Sequence, residues 1–356
     1  MKLFVVSDIH GHATELEAAL AEAGFDPENA EHLFVCCGDC FDRGHENRRV
    51  LTYLDRLPNK ILLRGNHEDM LEDALLRGYV TANNAHNGTV TTIQEFCGRG
   101  GIDSEGWITA SAGKTRPLED FTEQMADYFE TEHFVFVHGW LPLKRQYGMY
   151  TLREDWRYAT WKEWREARWV EWQNAYEGGL TLADRTIVCG HRTVEYGCMF
   201  DRNRPKKLST PFFGERLIAI DACTVVSGRV NVLVLEEEVL MTCHSMTLRR
   251  EYFDAMESGR KTVEMRLLDE KRRKLRVGDR IEFFCEGKEG ARLETQVLGL
   301  YGYPGFYKLA EDFEARSLGF EGKSPAEIDM YMTSLYGAEA IRQNQALAIK
   351  VRRIGR

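Results

Sequence analysis

The chain has 356 residues, of which 43% are hydrophobic and 29% are charged, a composition typical of folded globular proteins rather than disordered or fibrous ones. At about 150 residues per domain, this length predicts two domains. No apolar run approaches the roughly 18 residues that a membrane span needs, and the first residues become charged too early for a signal peptide. We therefore expect a cytoplasmic protein that does not contact a membrane.

Charge is distributed unevenly along the chain, whose net charge is −9. Residues 1–241 include 26 basic and 38 acidic side chains, whereas residues 242–356 include 21 and 18. Three glutamates at 236–238 predict a solvated boundary, so we place one domain at residues 1–238 and a second at 242–356. The nine cysteines are typical of free thiols in a reducing compartment, because their number is odd and many lie in apolar runs.

Short apolar runs in the first part predict strands that are buried on both faces. The seven runs are residues 3–6, 33–37, 60–63, 134–137, 186–189, 217–220 and 230–235. Helical patterns lie between them, for example at 13–23 and 69–76. This alternation predicts a layered α/β domain.

Five of the seven tryptophans lie between residues 152 and 178, in a segment whose pattern predicts a long helix. Positions 161, 164, 168 and 172 share one helical face, which favours a buried seam over a surface that stacks on a substrate. From about Thr242 onwards, the pattern predicts a helix at 249–258 and strands at 280–285 and 346–351.

Polar side chains follow five of the predicted strands, at the point where each strand ends. They are Asp8 and His10, then Asp39, Asp42 and Arg43, then Asn66 and His67, and finally His138 and His191. Because the carboxyl ends of strands in layered α/β sheets meet at one edge, we expect these groups to converge. One Asp-x-His or Gly-Asn-His sequence alone is usually an ordinary loop, but five groups in succession favour a site.

The types of side chain indicate the chemistry of this site. Carboxylate, imidazole and amide oxygen together suit manganese, iron or zinc, and too many ligands are present for one ion. Two ions about 3.5–4 Å apart need a bridging carboxylate and hold a hydroxide for in-line attack on phosphorus. Asp39 lies in the middle of the set and is the natural bridge.

Several motifs in this order carry a resemblance to a known family. They are Asp8-Ile9-His10-Gly11, Gly38-Asp39-Cys40-Phe41-Asp42-Arg43-Gly44, Leu63-Arg64-Gly65-Asn66-His67-Glu68, Val137-His138-Gly139 and Gly190-His191. Over about residues 1–237 the chain resembles calcineurin-like metallophosphoesterases, and among them the branch of serine/threonine phosphatases, lambda-phosphatase and diadenosine tetraphosphatase. It departs from much of that family at Ser7 and Trp140, where glycine is usual.

The resemblance implies a four-layer α/β/β/α sandwich that binds two divalent metal ions, manganese first, with iron or zinc as alternatives. The first ion would be held by Asp8, His10 and Asp39. The second would be held by Asp39, Asn66, His138 and His191.

The resemblance also implies the catalytic roles. His67 would protonate the leaving oxygen while Asp42 orients its ring, which agrees with what a leaving alkoxide needs near neutral pH. Arg43 would clamp the phosphate bidentately, with Asn66 as a further phosphate contact.

A second phosphate-binding arginine is expected between the last two histidines of the set. We choose Arg168, with Arg165 and Arg157 as alternatives. Asp221, which follows its own strand, is either a partner of a metal ligand or a turn cap.

The second part contains Gly259-Arg260-Lys261-Thr262-Val263-Glu264-Met265-Arg266. This sequence resembles the ASCH domain, a small β-barrel related to the PUA fold and associated with RNA. Lys261, Glu264 and Arg266 would line a cleft, and Arg272 and Arg273 belong to a basic stretch that would contact RNA phosphates. A solvated charged strand is the alternative interpretation.

The expected architecture is thus an α/β metallophosphatase sandwich with a second, smaller PUA-like β-barrel domain. The leading hypothesis is a metal-dependent hydrolase of phosphate monoesters, similar to protein serine/threonine phosphatases. One alternative is a phosphoesterase of nucleotides, dinucleoside polyphosphates or RNA ends that the second domain guides to the site. Another is a non-catalytic RNA-binding protein, against which the intact set of ligands argues.

Overall fold

The structure is a computed structural model that describes residues 1–200 and 209–354. The chain divides into two compact units. The first unit consists of Met1–Leu141 and Arg165–Val239, and the second of Pro142–Trp164 and Leu240–Arg356. No helix among the described residues is long and apolar enough to cross a membrane.

The strands of the described chain are two to twelve residues long. In chain order they are β1 (Lys2–Val6), β2 (His32–Cys36), β3 (Lys60–Leu62), β4 (Phe129–Glu130), β5 (Phe134–Phe136), β6 (Leu143–Gln146), β7 (Met149–Leu152), β8 (Thr186–Cys189), β9 (Phe212–Gly214), β10 (Leu217–Ala219), β11 (Leu233–Glu236), β12 (Cys243–Leu248), β13 (Val263–Leu267), β14 (Arg280–Cys285), β15 (Arg292–Tyr303) and β16 (Ala346–Ile354).

The helices are of 12 residues or fewer. They are α1 (Ala13–Glu22), α2 (Asn47–Arg56), α3 (Asn66–Arg77), α4 (Ala82–Asn87), α5 (Thr89–Cys97), α6 (Ala112–Glu123), α7 (Trp161–Ala167), α8 (Trp172–Glu177), α9 (Thr224–Ser227), α10 (Arg250–Glu257), α11 (Phe306–Asp312), α12 (Pro325–Tyr336) and α13 (Ala338–Asn344). Short 3₁₀ turns lie at Arg99–Gly101, Trp156–Tyr158, Val194–Met199 and Arg272–Lys274.

The first sheet of the first unit has the order β11-β1-β2-β3. Strands β1, β2 and β3 are parallel, and their last residues are in register, with Val6 opposite Cys36 and Cys36 opposite Leu62. The three strands therefore end at the same edge of the sheet, where the chain continues to Asp8, Asp39 and Asn66.

The second sheet has the order β4-β5-β8-β10-β9, in which β5, β8 and β10 are parallel. His138, His191 and Asp221 follow the ends of these three strands. All seven apolar runs that predicted strands contain strand residues, which confirms the mixed α/β architecture of this unit. Burial explains why such apolar runs form strands. Residues Leu3 to Val6 of β1 are each at most 1% exposed, so both faces of this strand are buried.

The predicted long helix between residues 152 and 178 is wrong, because the segment is interrupted twice. Before α7, the hydroxyl of Thr160 accepts from the backbone N–H of Glu163 (3.3 Å), and Glu163 Oε2 accepts from the N–H of Thr160 (2.7 Å). This reciprocal capping starts a new helix at Trp161. The backbone of Glu171 is extended, which separates α7 from α8.

The second unit contains an open sheet of the order β12-β14-β15-β16-β13 and the separate hairpin β6–β7. Strand β12 is parallel to β14, and the other pairs are antiparallel. Within the described chain, β12 and β13 are the two edges of this sheet and do not pair with each other. The predicted PUA-like barrel is therefore not confirmed as a closed barrel.

Candidate metal centre

The residues that leave the strands toward the site have unusual backbone conformations. Among the described residues, ten non-glycine residues have positive φ, and six of them belong to the predicted site. These six are Asp8, His10, Asp39, Asp42, Arg43 and His191, with φ between 49° and 73°. Side chains larger than hydrogen rarely adopt this left-handed region, and such strain is typically retained at functional sites.

Asp39 lies at the centre of the converging side chains. Its Oδ1 lies 3.3 Å from His138 Nε2, and its Oδ2 lies 3.8 Å from both His10 Nε2 and His67 Nε2. His10 Nε2 is also 3.8 Å from Asp8 Oδ1. The structure thus places the carboxylate of Asp39 between groups that come from both sheets.

Asn66 joins the two histidines of the second sheet. Its Oδ1 lies 2.8 Å from His138 Nε2 and 2.9 Å from His191 Nδ1. Two groups of three potential ligand residues are present among the described residues, and both include Asp39; within each group the ligand atoms lie within 4.8 Å of one another. One group is His10, Asp39 and His67, and the other is Asp39, His138 and His191.

The donor set fits divalent metal ions. Burial, together with the neighbouring His67, lowers the pKa of His10 well below its usual value, and burial lowers the pKa of His191 to about 3. Both imidazoles are therefore neutral, as metal ligands must be. The charged groups that most affect buried Asp8 and Asp39 are imidazoles and other carboxylates, so a bound cation would offset the negative charge of the two side chains.

Backbone carbonyls fix the orientation of two of these imidazoles. His10 Nδ1 lies 2.9 Å from the carbonyl oxygen of Phe41, and His138 Nδ1 lies 2.7 Å from that of Cys37. A proton on Nδ1 donates to each carbonyl and directs Nε2 toward the other candidate ligands. Burial lowers the pKa of His138, but the charge and hydrogen bond of Asp39, together with the charge of Asp8, outweigh it and raise the pKa to about 10. A metal ion bound at His138 would therefore displace a proton from Nε2.

His67 and Asp42 form a buried pair beside this cluster. His67 Nδ1 lies 2.8 Å from Asp42 Oδ2, and the hydroxyls of Thr89 and Thr92 donate to the same carboxylate at 3.0 and 2.6 Å. Although burial lowers the pKa of His67, the charge of Asp39 and the hydrogen bond with Asp42 outweigh it and raise the pKa above its usual value. Asp42 therefore orients His67 and favours its protonated form.

Arg43 lies across the cluster. Its guanidinium donates to His10 Nε2 at 3.0 Å and to His67 Nε2 at 3.1 Å. Its two terminal nitrogens thus point toward the space between the predicted general acid and the predicted ligands, where a phosphate oxygen could replace the imidazoles as acceptor.

The predicted second phosphate ligand occupies a different environment. Arg168 is 2% exposed, and its guanidinium pairs with Asp69 at 2.8 Å and with Asp127. Arg165 pairs with Asp73 at 2.7 Å, and Arg157 stacks on Trp156 in the second unit. A phosphate contact by Arg168 stays a prediction, and the contacts that the structure describes for its guanidinium are with carboxylates.

Sequence reasoning gave no role to Glu68, although it lies in one of the motifs. Its buried carboxylate accepts three backbone hydrogen bonds, from the N–H groups of Asp39 (3.0 Å), Cys40 (2.8 Å) and Gly65 (2.8 Å). It thereby ties the loop after β2 to the loop after β3. The capping-box spacing from Gly65 to Glu68 was the available signal, because a glutamate at the third helical position reaches back to the backbone that precedes the helix.

The residues predicted to contact RNA lie in the second unit and differ in exposure. Lys261 is 3% exposed, and its ammonium donates to the carbonyl oxygens of Val263 and Leu318 and pairs with Glu264 at 3.2 Å. Glu264 also pairs with Arg266 at 2.8 Å. These three side chains line a cavity of about 500 Å³ together with Arg272, whereas Arg273 is exposed.

The two sheets and the five loops that converge on Asp39 are the features that the sequence resemblance to metallophosphoesterases implied. Residues 1–218 match the family model described as calcineurin-like phosphoesterase. The chain therefore belongs to this family and is a hydrolase, which sets aside the non-catalytic alternative.

Curated relatives match over a limited segment. The chain is 42% identical over 72 residues to serine/threonine-protein phosphatase 2 of Salmonella typhimurium, covering 20% of this chain and 32% of that protein. It is 33% identical over 69 residues to the symmetrical bis(5'-nucleosyl)-tetraphosphatase of Pectobacterium atrosepticum, covering 19% and 24%. The matched segment thus spans about a third or less of these relatives.

One solved structure with a similar backbone is the cold-active protein-tyrosine phosphatase of a psychrophilic Shewanella species. The similarity covers 66% of this chain and 75% of that chain, with 20% sequence identity and a TM-score of 0.39.

The environment of Glu68 generates a first prediction. In Glu68→Gln, one of the two carboxylate oxygens becomes an NH₂ group, which faces a backbone N–H in either orientation of the amide. We expect the free energy of unfolding to fall by about 1–3 kcal/mol, as for other buried groups left without a partner. Urea denaturation measures this change. The exposed Glu22→Gln on α1 is the control, and equal midpoints for the two variants would contradict the proposed tie between the loops.

Proposed function

We propose that the protein hydrolyses phosphate monoesters at a centre of two divalent metal ions, in the manner of protein serine/threonine phosphatases. The observation that carries this proposal is the carboxylate of Asp39, which is shared by two groups of ligand atoms. Manganese is the ion we expect, with iron or zinc as alternatives, because the set combines carboxylate, imidazole and amide ligands.

The proposed ligands divide between the two sheets. One ion would bind to the groups that follow β1 and β2, and the other to those that follow β3, β5 and β8, with Asp39 common to both. Bound there, the ions would polarise phosphoryl oxygens and activate water for attack on phosphorus. The full sets are Asp8, His10 and Asp39 for the first ion, and Asp39, Asn66, His138 and His191 for the second.

The side chains around this centre would bind the ester and move one proton. Arg43 would turn its two donors from the imidazoles to the phosphate oxygens and hold the group for in-line attack. That movement frees Nε2 of His67, which would take up a proton from solvent because the pKa of this imidazole is raised, and would donate it to the leaving oxygen. The pair with Asp42 keeps the proton of Nδ1 in place, so Nε2 is the reacting atom. Asn66 would add a hydrogen bond to the phosphate.

A substrate screen tests the proposal directly. The manganese-loaded protein is assayed with a phosphoserine peptide, diadenosine tetraphosphate, and RNA phosphorylated at its 3′ or 5′ end. The proposal expects the highest kcat/KM with the phosphoserine peptide. A preference for the dinucleotide or the RNA would favour a nucleotide phosphoesterase, which the similarity to the tetraphosphatase also supports.

The shared carboxylate generates the second prediction. Asp39→Asn removes the negative charge that the two ions would share, so we expect both metal content and activity to fall together. Elemental analysis after gel filtration measures the metal content, and Asp55→Asn, exposed on α2, is the control. Two ions retained per chain in an active Asp39→Asn variant would contradict the dinuclear assignment.

The proposed general acid generates the third prediction. His67→Asn should lower kcat about 10²–10⁴-fold with an alkyl phosphate, because the leaving alkoxide needs a proton. The loss should be much smaller with p-nitrophenyl phosphate, whose leaving oxygen hardly needs one. Steady-state kinetics with both esters measures the difference. If both rates fall by the same factor, His67 has a different role, such as positioning the phosphate.

A second candidate function concerns the second unit, for which we propose RNA binding. The observation that favours it is the cavity of about 500 Å³, whose lining includes Lys261, Glu264, Arg266 and Arg272. Lys261 and Glu264 are buried and paired, so they would shape the cavity, whereas Arg272 and the exposed Arg273 would each contact a phosphate. Since the whole chain has a net charge of −9, binding would depend on this local basic surface.

Salt dependence gives the fourth prediction. For single-stranded RNA, each phosphate contact adds about 0.7 to the slope of log K against log salt. The double variant Arg272→Ala/Arg273→Ala should reduce the slope by about 1.4, as measured by fluorescence anisotropy on the full chain. The control Lys288→Ala/Lys308→Ala removes the same charge from other exposed positions. An equal reduction in both variants, or no binding at high micromolar protein, would contradict RNA binding at this surface.

A further inference from the structure

Trp169 is exposed although it lies beside a proposed metal ligand. Trp156, Trp164 and Trp172 are at most 3% exposed, but Trp169 is 48% exposed. Its ring centroid lies 6.2 Å from that of His191, with the two rings nearly perpendicular at 82°. An indole surface is therefore open to solvent at the edge of the candidate metal centre, in contact with the imidazole that would bind the second ion.

The backbone that carries this indole is fixed. The N–H of Trp169 donates to the carbonyl oxygen of Glu166 (3.1 Å), and the preceding residue, Arg168, is anchored by its buried pairs with Asp69 and Asp127. A side chain at Gly139 would collide with the carbonyl oxygens of residues 167 and 168, so the loop after β5 approaches this backbone closely. The point from which the indole projects is thus held in place, so binding a ligand there does not need the backbone to become ordered.

Arg192, the residue after His191, and its neighbour Tyr196 are also partly exposed. Arg192 pairs with Glu171 at 2.6 Å and lies 5.8 Å from the ring of Tyr196. The side chain of Arg192 and the residue Tyr196 are each 43% exposed. We call Trp169, Arg192 and Tyr196 the aromatic rim. It offers flat apolar surfaces and one cation at the entrance of a site that would bind phosphate.

We propose that Trp169 stacks on a planar aromatic ring of the substrate's leaving group, and so adds affinity for phosphoesters that carry such a ring. This inference rests on the proposed phosphoesterase function. Stacking fits the observations because the indole projects from a well-anchored backbone, is nearly half exposed and contacts a group at the candidate metal centre. Arg192 would interact with a further anionic group of the same substrate. The ring can belong to a nucleobase or to an aryl group.

Equilibrium binding tests the proposal without relying on turnover. The manganese-loaded full chain is titrated calorimetrically with three phosphonates, whose P–C bond it cannot hydrolyse. They are the methylene phosphonate analogue of AMP, phenylphosphonate as the aryl ligand, and the methylene phosphonate analogue of phosphoserine as the ligand without a ring. Because stacking of one base on an aromatic side chain typically corresponds to 5- to 150-fold in affinity, Trp169→Ala should weaken at least one ring-bearing ligand by about tenfold or more relative to the phosphoserine analogue. Trp169→Phe should restore most of that difference.

The control variant is Trp107→Ala, since Trp107 is also about half exposed (52%) but contacts Tyr79 rather than the site residues. We expect it to leave the ratio of affinities unchanged. A selective loss for the AMP analogue identifies a nucleobase as the ring, and a loss confined to phenylphosphonate identifies an aryl group. Equal losses for all three ligands in Trp169→Ala would overturn the proposal and show that the indole only supports His191.

Failure of this inference differs from failure of the proposed function. If the wild-type, metal-loaded protein hydrolyses none of the esters in the substrate screen, the proposed function fails whatever the affinities are. If it hydrolyses them and the affinity ratio does not depend on residue 169, the phosphoesterase function remains and the added affinity for aromatic leaving groups is wrong.

Discussion

The left-handed backbone at the ends of the strands is the constraint on which the candidate site depends. Only such turns bring Asp8, Asp39 and His191 back over the edge of the sheets instead of along the strand direction. Each costs of order 1–2 kcal/mol for a residue with a Cβ. Hydrogen bonds between loops offset this cost, including those from the N–H of Asp8 to the carbonyl of Gly38 and from the N–H of His10 to that of Asp39.

The negative charge of the site also needs compensation, because the same turns bring several carboxylates together in a buried position. Burial and the charge of Asp221 raise the pKa of Asp8 well above its usual value, and burial raises that of Asp221 to about 6. The cluster of imidazoles and the guanidinium of Arg43 compensate only in part. Bound cations would stabilise the ionised carboxylates, so metal binding and the stability of the first unit are expected to be linked.

Much of the fold and of the candidate site of the first unit could be predicted from the sequence. Short apolar runs indicate the strands, and the polar residues that follow them indicate the candidate site residues. Burial and register of β1, β2 and β3 agree with that prediction. The pairing of Arg168 could not be predicted, since Asp69 and Asp127 approach it only through the tertiary fold. Nor could the pattern of the second unit distinguish a closed barrel from an open sheet, because both need the same alternation along each strand.

The unusual Ser7 shows how one departure from the family pattern is accommodated. Its hydroxyl donates to Asp8 Oδ2 at 2.5 Å, the same oxygen that accepts from the N–H of His191 at 3.0 Å. A side chain at position 190 would collide with both Ser7 and Asp8, so Gly190 leaves the room that the serine needs. Ser7 therefore restricts the carboxylate of Asp8 through an extra hydrogen bond. There is room for this serine because the loop that follows β8 in the second sheet has glycine at position 190. Residues that follow strands of both sheets thus fix the position of the proposed metal ligand Asp8.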